Sequence, residues 1–67
     1  MERALTLLEL LAGFPQGARL TLLAKRAGLA PSTAHRLLTT LERRGFAQFD
    51  PAGSRWLVGR RAFTVGI

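Results

Sequence analysis

Between positions 32 and 43 the chain places Ser32, Arg36, Thr39 and Arg43 at helical spacing, with His35 and Thr40 on their flanks and Thr33 beside Ser32. At about 100° per residue these side chains gather on one side of a helix, while Ala34, Leu37, Leu38 and Leu41 gather on the other. No carboxylate occurs from Ser32 to Leu41. Such a set can hydrogen-bond to base edges. Arginine bonds bidentately to O6 and N7 of guanine, imidazole donates to the same acceptors, and threonine offers a hydroxyl together with a methyl that suits thymine. An exposed arginine alone is ordinarily a solvated charge, and a lone histidine is ordinarily a surface or core-edge residue. It is the set, free of negative charge, that points to a helix lying in the major groove of double-stranded DNA. Groove-reading helices enter N-terminus first, so Arg36 is the first choice for a base contact. Ser32, Thr33 and Thr39 suit phosphates or water-mediated edges. Arg43, next to Arg44 at the helix end, also complements the helix dipole.

A second footprint is expected from Arg55, which follows a turn and can reach a phosphate or the adjacent minor groove, with Ser54 assisting. Trp56 invites a base-stacking reading, but in so small a domain it reads as core. Thr21 and the free amides beginning a second helix fit a backbone phosphate.

The elements that must hold these groups follow from period and punctuation. Ala4, Leu5, Leu8, Leu11 and Ala12 predict a first helix over 2–12, broken by Gly13, Pro15 and Gly17. Arg19 and Leu20 read as a short extended piece. Thr21 is expected to N-cap a second helix over 22–27 that Gly28 stops. That helix is too short to stand alone in water and must pack on its neighbours. Pro31 fits the first turn of a third helix running to about Arg44, with Ser32 able to cap its free amides and Gly45 ending it. From Phe46 the period changes, and 46–49 and 55–58 read as strands joined by a five-residue turn over 50–54, where Gly53 can take a positive φ. Phe46 and Phe49 fall on opposite faces, so the register is not fixed by the pattern. Three helices and a hairpin, mainly α with a small β element, make a winged helix-turn-helix.

Composition agrees. The chain has 67 residues, a net charge of +6 and no cysteine, with hydrophobic residues at 48%. That suffices for one small core, excludes a disulfide framework or thiolate metal site, and makes a polyanion the natural partner. The apolar run from Leu5 is interrupted by Thr6 and Glu9 and is far shorter than the roughly 20 residues a membrane span needs. No secretory signal leads the chain, so the cytoplasm is the expected compartment and no membrane association is expected. Glu2, Glu9, Glu42 and Asp50 are its 4 carboxylates, and with one histidine and no cysteine they do not assemble a nucleophile, base and orienter. No enzyme activity, cofactor or metal site is expected. The competing reading is a winged-helix protein-protein interaction module, whose third helix would more often expose acidic or large apolar residues. Double-stranded RNA is disfavoured because its major groove is too narrow for a helix.

These residues resemble the IclR-type transcriptional regulators of bacteria. The matching stretches are Glu2-Arg3-Ala4-Leu5 with Leu7-Leu8-Glu9, Leu23-Ala24 with Ala27-Gly28-Leu29, and the run from Ser32 to Leu41. The likeness continues through Arg44-Gly45-Phe46, Asp50-Pro51, Trp56, Val58 and Gly59. The resemblance implies a winged-helix operator-binding domain over 1–59 whose Ser32, Thr33, His35 and Arg36 contact DNA. It also implies a connecting helix beginning within 60–67, a C-terminal effector-binding domain absent here, and a homodimer or larger assembly in the full-length protein. The chain is therefore expected to be a fragment or truncated product. One departure stands out: Ala30-Pro31 occupies positions where the family usually has proline followed by lysine or arginine. A cationic contact is lost there, and with it any carried-over operator preference.

Overall fold

A computed structural model of the chain describes residues 2–60. Three helices, α1 (Glu2–Ala12), α2 (Leu20–Ala27) and α3 (Pro31–Arg43), precede strands β1 (Ala47–Asp50) and β2 (Arg55–Val58), which pair antiparallel as one hairpin. This is the winged helix-turn-helix arrangement. The expected connecting helix falls, beyond Arg60, outside the described residues.

The core forms where each element contributes its apolar positions. Leu7 and Leu11, one helical turn apart on α1, meet Leu23 of α2, Leu38 of α3, Ala47 of β1 and Trp56 of β2. The four leucines are fully buried. Each stabilises the fold by roughly 1.5 to 3 kcal/mol relative to exposure. On α3, Ala34 and Leu38 are buried and Leu37 and Leu41 half-buried, so the inward stripe predicted from periodicity is the one observed.

The helix starts differ from expectation. Helix α2 begins at Leu20, and its N-cap is Arg19, extended at φ −75° and ψ 154° with no side-chain cap. Thr21 therefore lies inside the first turn and caps nothing. The cause is tertiary. Ala18 forms an isolated bridge with Trp56, its N–H donating to the Trp56 carbonyl at 2.9 Å and its carbonyl accepting from the Trp56 N–H at 2.8 Å. The chain thus leaves the sheet at Ala18 and has one extended residue, Arg19, before Leu20 must turn inward to the core. Helix α3 is likewise capped by Ala30 without a side-chain bond, and Pro31 takes the first turn as expected, so Ser32 is a first-turn residue and not the cap.

The first strand is shifted by one residue, while the second runs over 55–58 as expected. Phe46 precedes the strand, and its N–H donates to the Leu41 carbonyl at 2.9 Å, which closes the end of α3. The pairs run from Ala47 with Val58 to Asp50 with Arg55, leaving a four-residue turn over 51–54. Asp50 folds that turn from its start, one carboxylate oxygen accepting the Ala52 N–H at 3.1 Å. Within it Ser54, not Gly53, takes the left-handed conformation, at φ 52°.

Candidate nucleic-acid interface

The turn between α2 and α3 decides where α3 points. Gly28 ends α2 at φ 69°, a conformation that costs glycine nothing and lets the Leu29 N–H donate back to the Ala24 carbonyl at 2.9 Å. Leu29 then packs on the core and Pro31 starts α3. With Ala34 and Leu38 anchored below, the opposite face of α3 is turned to solvent.

That face holds most of the residues singled out from sequence. Ser32, His35, Arg36, Thr40 and Arg43 are exposed, and Thr33 and Thr39 are half-buried. Two of these threonines, Thr39 and Thr40, are not free donors. The Thr39 hydroxyl donates to the His35 carbonyl at 2.8 Å and the Thr40 hydroxyl to the Arg36 carbonyl at 3.0 Å. Each then presents an oxygen lone pair and a methyl, which suits a base-edge amine or a thymine methyl more than a phosphate. Arg36 and Arg43, two turns apart on one stripe, remain as the cationic donors of this face.

On the wing, Ser54 and Arg55 are exposed at the end of the turn. The positive φ of Ser54 reverses the chain so that Arg55 re-enters the ladder opposite Asp50. Between α3 and the wing runs a groove of about 380 Å³ lined by Leu20, His35, Thr39, Glu42, Phe49, Ser54 and Trp56. The fold therefore brings Ser54 to the same groove as His35 and Thr39. Thr21 is exposed in the first turn of α2, next to Leu20 at the edge of that groove. Trp56 is core, as its spacing suggested, with 4% exposure.

Sequence reasoning missed what surrounds His35. Its ring meets Trp56 edge to face, with centroids 6.1 Å apart and planes at 79°. Phe49 packs on the other partner of that pair, 5.0 Å from Trp56. Phe49 and Trp56 are directly opposed across the strands, so a correct register would have revealed their contact. No local pattern signals the approach of His35, 21 positions away in sequence.

With this geometry in view, the similarity to known proteins is specific. Residues 1–51 match the model of the IclR helix-turn-helix domain. The chain belongs to the IclR family of helix-turn-helix domains. It is 46% identical over 66 residues to the HTH-type transcriptional regulator BhcR of Paracoccus denitrificans, covering 98% of this chain and 23% of that protein. To the transcriptional repressor IclR of Escherichia coli it is 44% identical over 66 residues, covering 98% of this chain and 24% of the repressor. The crystal structure of HmgR from Pseudomonas aeruginosa superimposes with a TM-score of 0.89 at 34% identity, over 97% of this chain and 27% of that one. The chain thus spans about a quarter of the length of the relatives it matches. Membership agrees with the class of function read from the residues, DNA binding by a helix-turn-helix domain. These relatives are named as regulators, not as enzymes. Among the described residues no helix is long and apolar enough to cross a membrane.

Proposed function

We propose that this IclR-type domain reads operator DNA by laying α3 in the major groove, with Arg36 contacting a base edge and Ser32, Thr33, His35, Thr39, Thr40 and Arg43 lining the same contact. Arg55, assisted by Ser54, reaches the backbone or minor groove from the wing, and Thr21 with the amides at the start of α2 meets a phosphate. The observation that supports this best is the exposed face of α3, which carries Arg36 and no carboxylate from Ser32 to Leu41, with Glu42 entering only beside Arg43 at the helix end, while the apolar stripe is turned into the core. A protein-docking face would more often expose acidic or large apolar residues there.

The operator-binding unit is 1–59, and a connecting helix within 60–67 leads to a C-terminal effector domain in the complete regulator. That protein works in the cytoplasm as a homodimer or larger assembly. One domain covers one half-site, and two half-sites about 34 to 36 Å apart along the duplex need a second copy.

A fluorescence-anisotropy titration of the purified chain against a randomised duplex pool, with heparin of matched charge as control, tests this. Preference for a subset of duplexes, with affinity falling steeply as salt rises, is the expected result. Equal binding to heparin and to every duplex would refute it.

A further inference from the structure

His35 stands where the two halves of the interface meet. At its C-terminal end α3 is tied to the wing through the main chain, by the Phe46 N–H donating to the Leu41 carbonyl. His35 lies six residues back from Leu41, about 9 Å further along the helix axis at 1.5 Å per residue. There the groove separates helix from wing, and the edge-to-face contact of His35 with Trp56 crosses it. The Trp56 ring is itself held in place: its backbone is bridged to Ala18 on one side and paired to Phe49 on the other, and its ring packs against that of Phe49. On the helix, His35 is about 100° round from Arg36 toward the wing, so its ring is turned away from the centre of the exposed stripe.

We propose that His35 acts as a positioning residue, its ring bracketing the wing to the N-terminal half of α3 through Trp56 and so fixing the span between the Arg36 and Arg55 contacts. This rests on the DNA-reading proposal above. A wing held at one distance from the helix loses less freedom when both bind one duplex, so the two contacts reinforce each other. Released, the wing still carries Arg55 but delivers it less often to the same phosphate. The role requires a ring and no hydrogen bond, so it is measured separately from any contact His35 itself makes with DNA.

The test is a mutant cycle on duplex selected from a random pool by the wild-type chain. Because His35 is exposed, His35→Ala removes no buried side chain of the core, and His35→Phe keeps a ring while removing both nitrogens. Arg55→Ala is combined with each. The penalty of Arg55→Ala is expected to shrink about threefold or more in the His35→Ala background and to return with His35→Phe. Before DNA is added, nuclear Overhauser contacts between the His35 and Trp56 ring protons are expected in the free chain. An Arg55→Ala penalty identical in all three backgrounds would overturn the bracket, as would absence of those contacts. Failure of His35→Phe to recover the coupling would leave His35 only its direct contact with DNA and likewise overturn the bracket. If the wild-type chain selects no duplex, it is the DNA-reading proposal that fails, and the ring contacts in the free chain then show whether the bracket exists without it.

Discussion

Replacing Gly59 with alanine should unfold much of the domain's margin, for a reason visible in one crossing of the chain. Gly59 follows β2 and its N–H donates to the Phe46 carbonyl at 2.8 Å. A Cβ there would strike the Gly45 carbonyl oxygen and come within 2.8 Å of both the Ala47 nitrogen and the Phe46 carbonyl carbon. All three are main-chain atoms, so no side chain can swing aside. Gly59 is not among the residues with positive φ, so the penalty is steric and not conformational. Overpacking of this kind costs about 1 to 3 kcal/mol. Loss of the hydrogen bond as the strand end backs away adds about 1 kcal/mol. The expected loss is thus roughly 2 to 4 kcal/mol, against a total of about 3 to 10 kcal/mol for a domain of this size. At 4 to 8 °C per kcal/mol, Tm should fall by roughly 10 to 30 °C. Guanidinium titration followed by Trp56 emission and by helical circular dichroism reads the loss. Gly13→Ala is the control, since its Cβ would meet only the Leu10 carbonyl oxygen, at 3.4 Å, an ordinary contact. A Gly59→Ala loss under about 1 kcal/mol, or one no larger than that of the control, would refute the steric argument.

Arg36→Ala should cost about 1 to 3 kcal/mol on the selected duplex and relax preference at one base position, measured by repeating the pool selection with the variant. Arg55→Ala should weaken binding about equally on all sequences and lower the slope of log affinity against log salt by roughly one; a sequence-dependent loss would contradict a phosphate role. Ala30→Ser places a hydroxyl at the uncapped start of α3 and should stabilise the fold by about 0.5 to 2 kcal/mol in thermal unfolding.

The helices and the hairpin were legible because their signals are local. Leu7 and Leu11, or Ala34 and Leu38, sit one turn apart whatever the rest of the chain does. The start of α2 was set from a distance. Thr21 looks like a cap by residue type, yet the bridge between Ala18 and Trp56 leaves room for only one extended residue before the helix. At the hairpin the cause is local: Asp50 pairs with Arg55 across the turn, so the turn shortens and its left-handed residue becomes Ser54 instead of the glycine that type alone favours. On the interface, the exposed face of α3 was readable at 3.6 residues per turn. The ring contact of His35 with Trp56 was not, because it depends on the fold closing first.

What α3 can recognise is also narrower than its residue types suggest. A threonine whose hydroxyl hydrogen points back to a helix carbonyl cannot donate to a phosphate without breaking that bond. Thr39 and Thr40 are both in this state, so they offer acceptors and methyls to the groove. In the proposed complex, donation to phosphates and to purine acceptors would then fall on the arginines, on Ser32 and Thr33, and on the amides at the start of α3, where Ala30 supplies no side-chain cap. The N-terminal turns of α3 therefore donate and its middle accepts. A helix entering the groove N-terminus first would meet phosphate and guanine edges at its tip, and amine or methyl edges one turn further in.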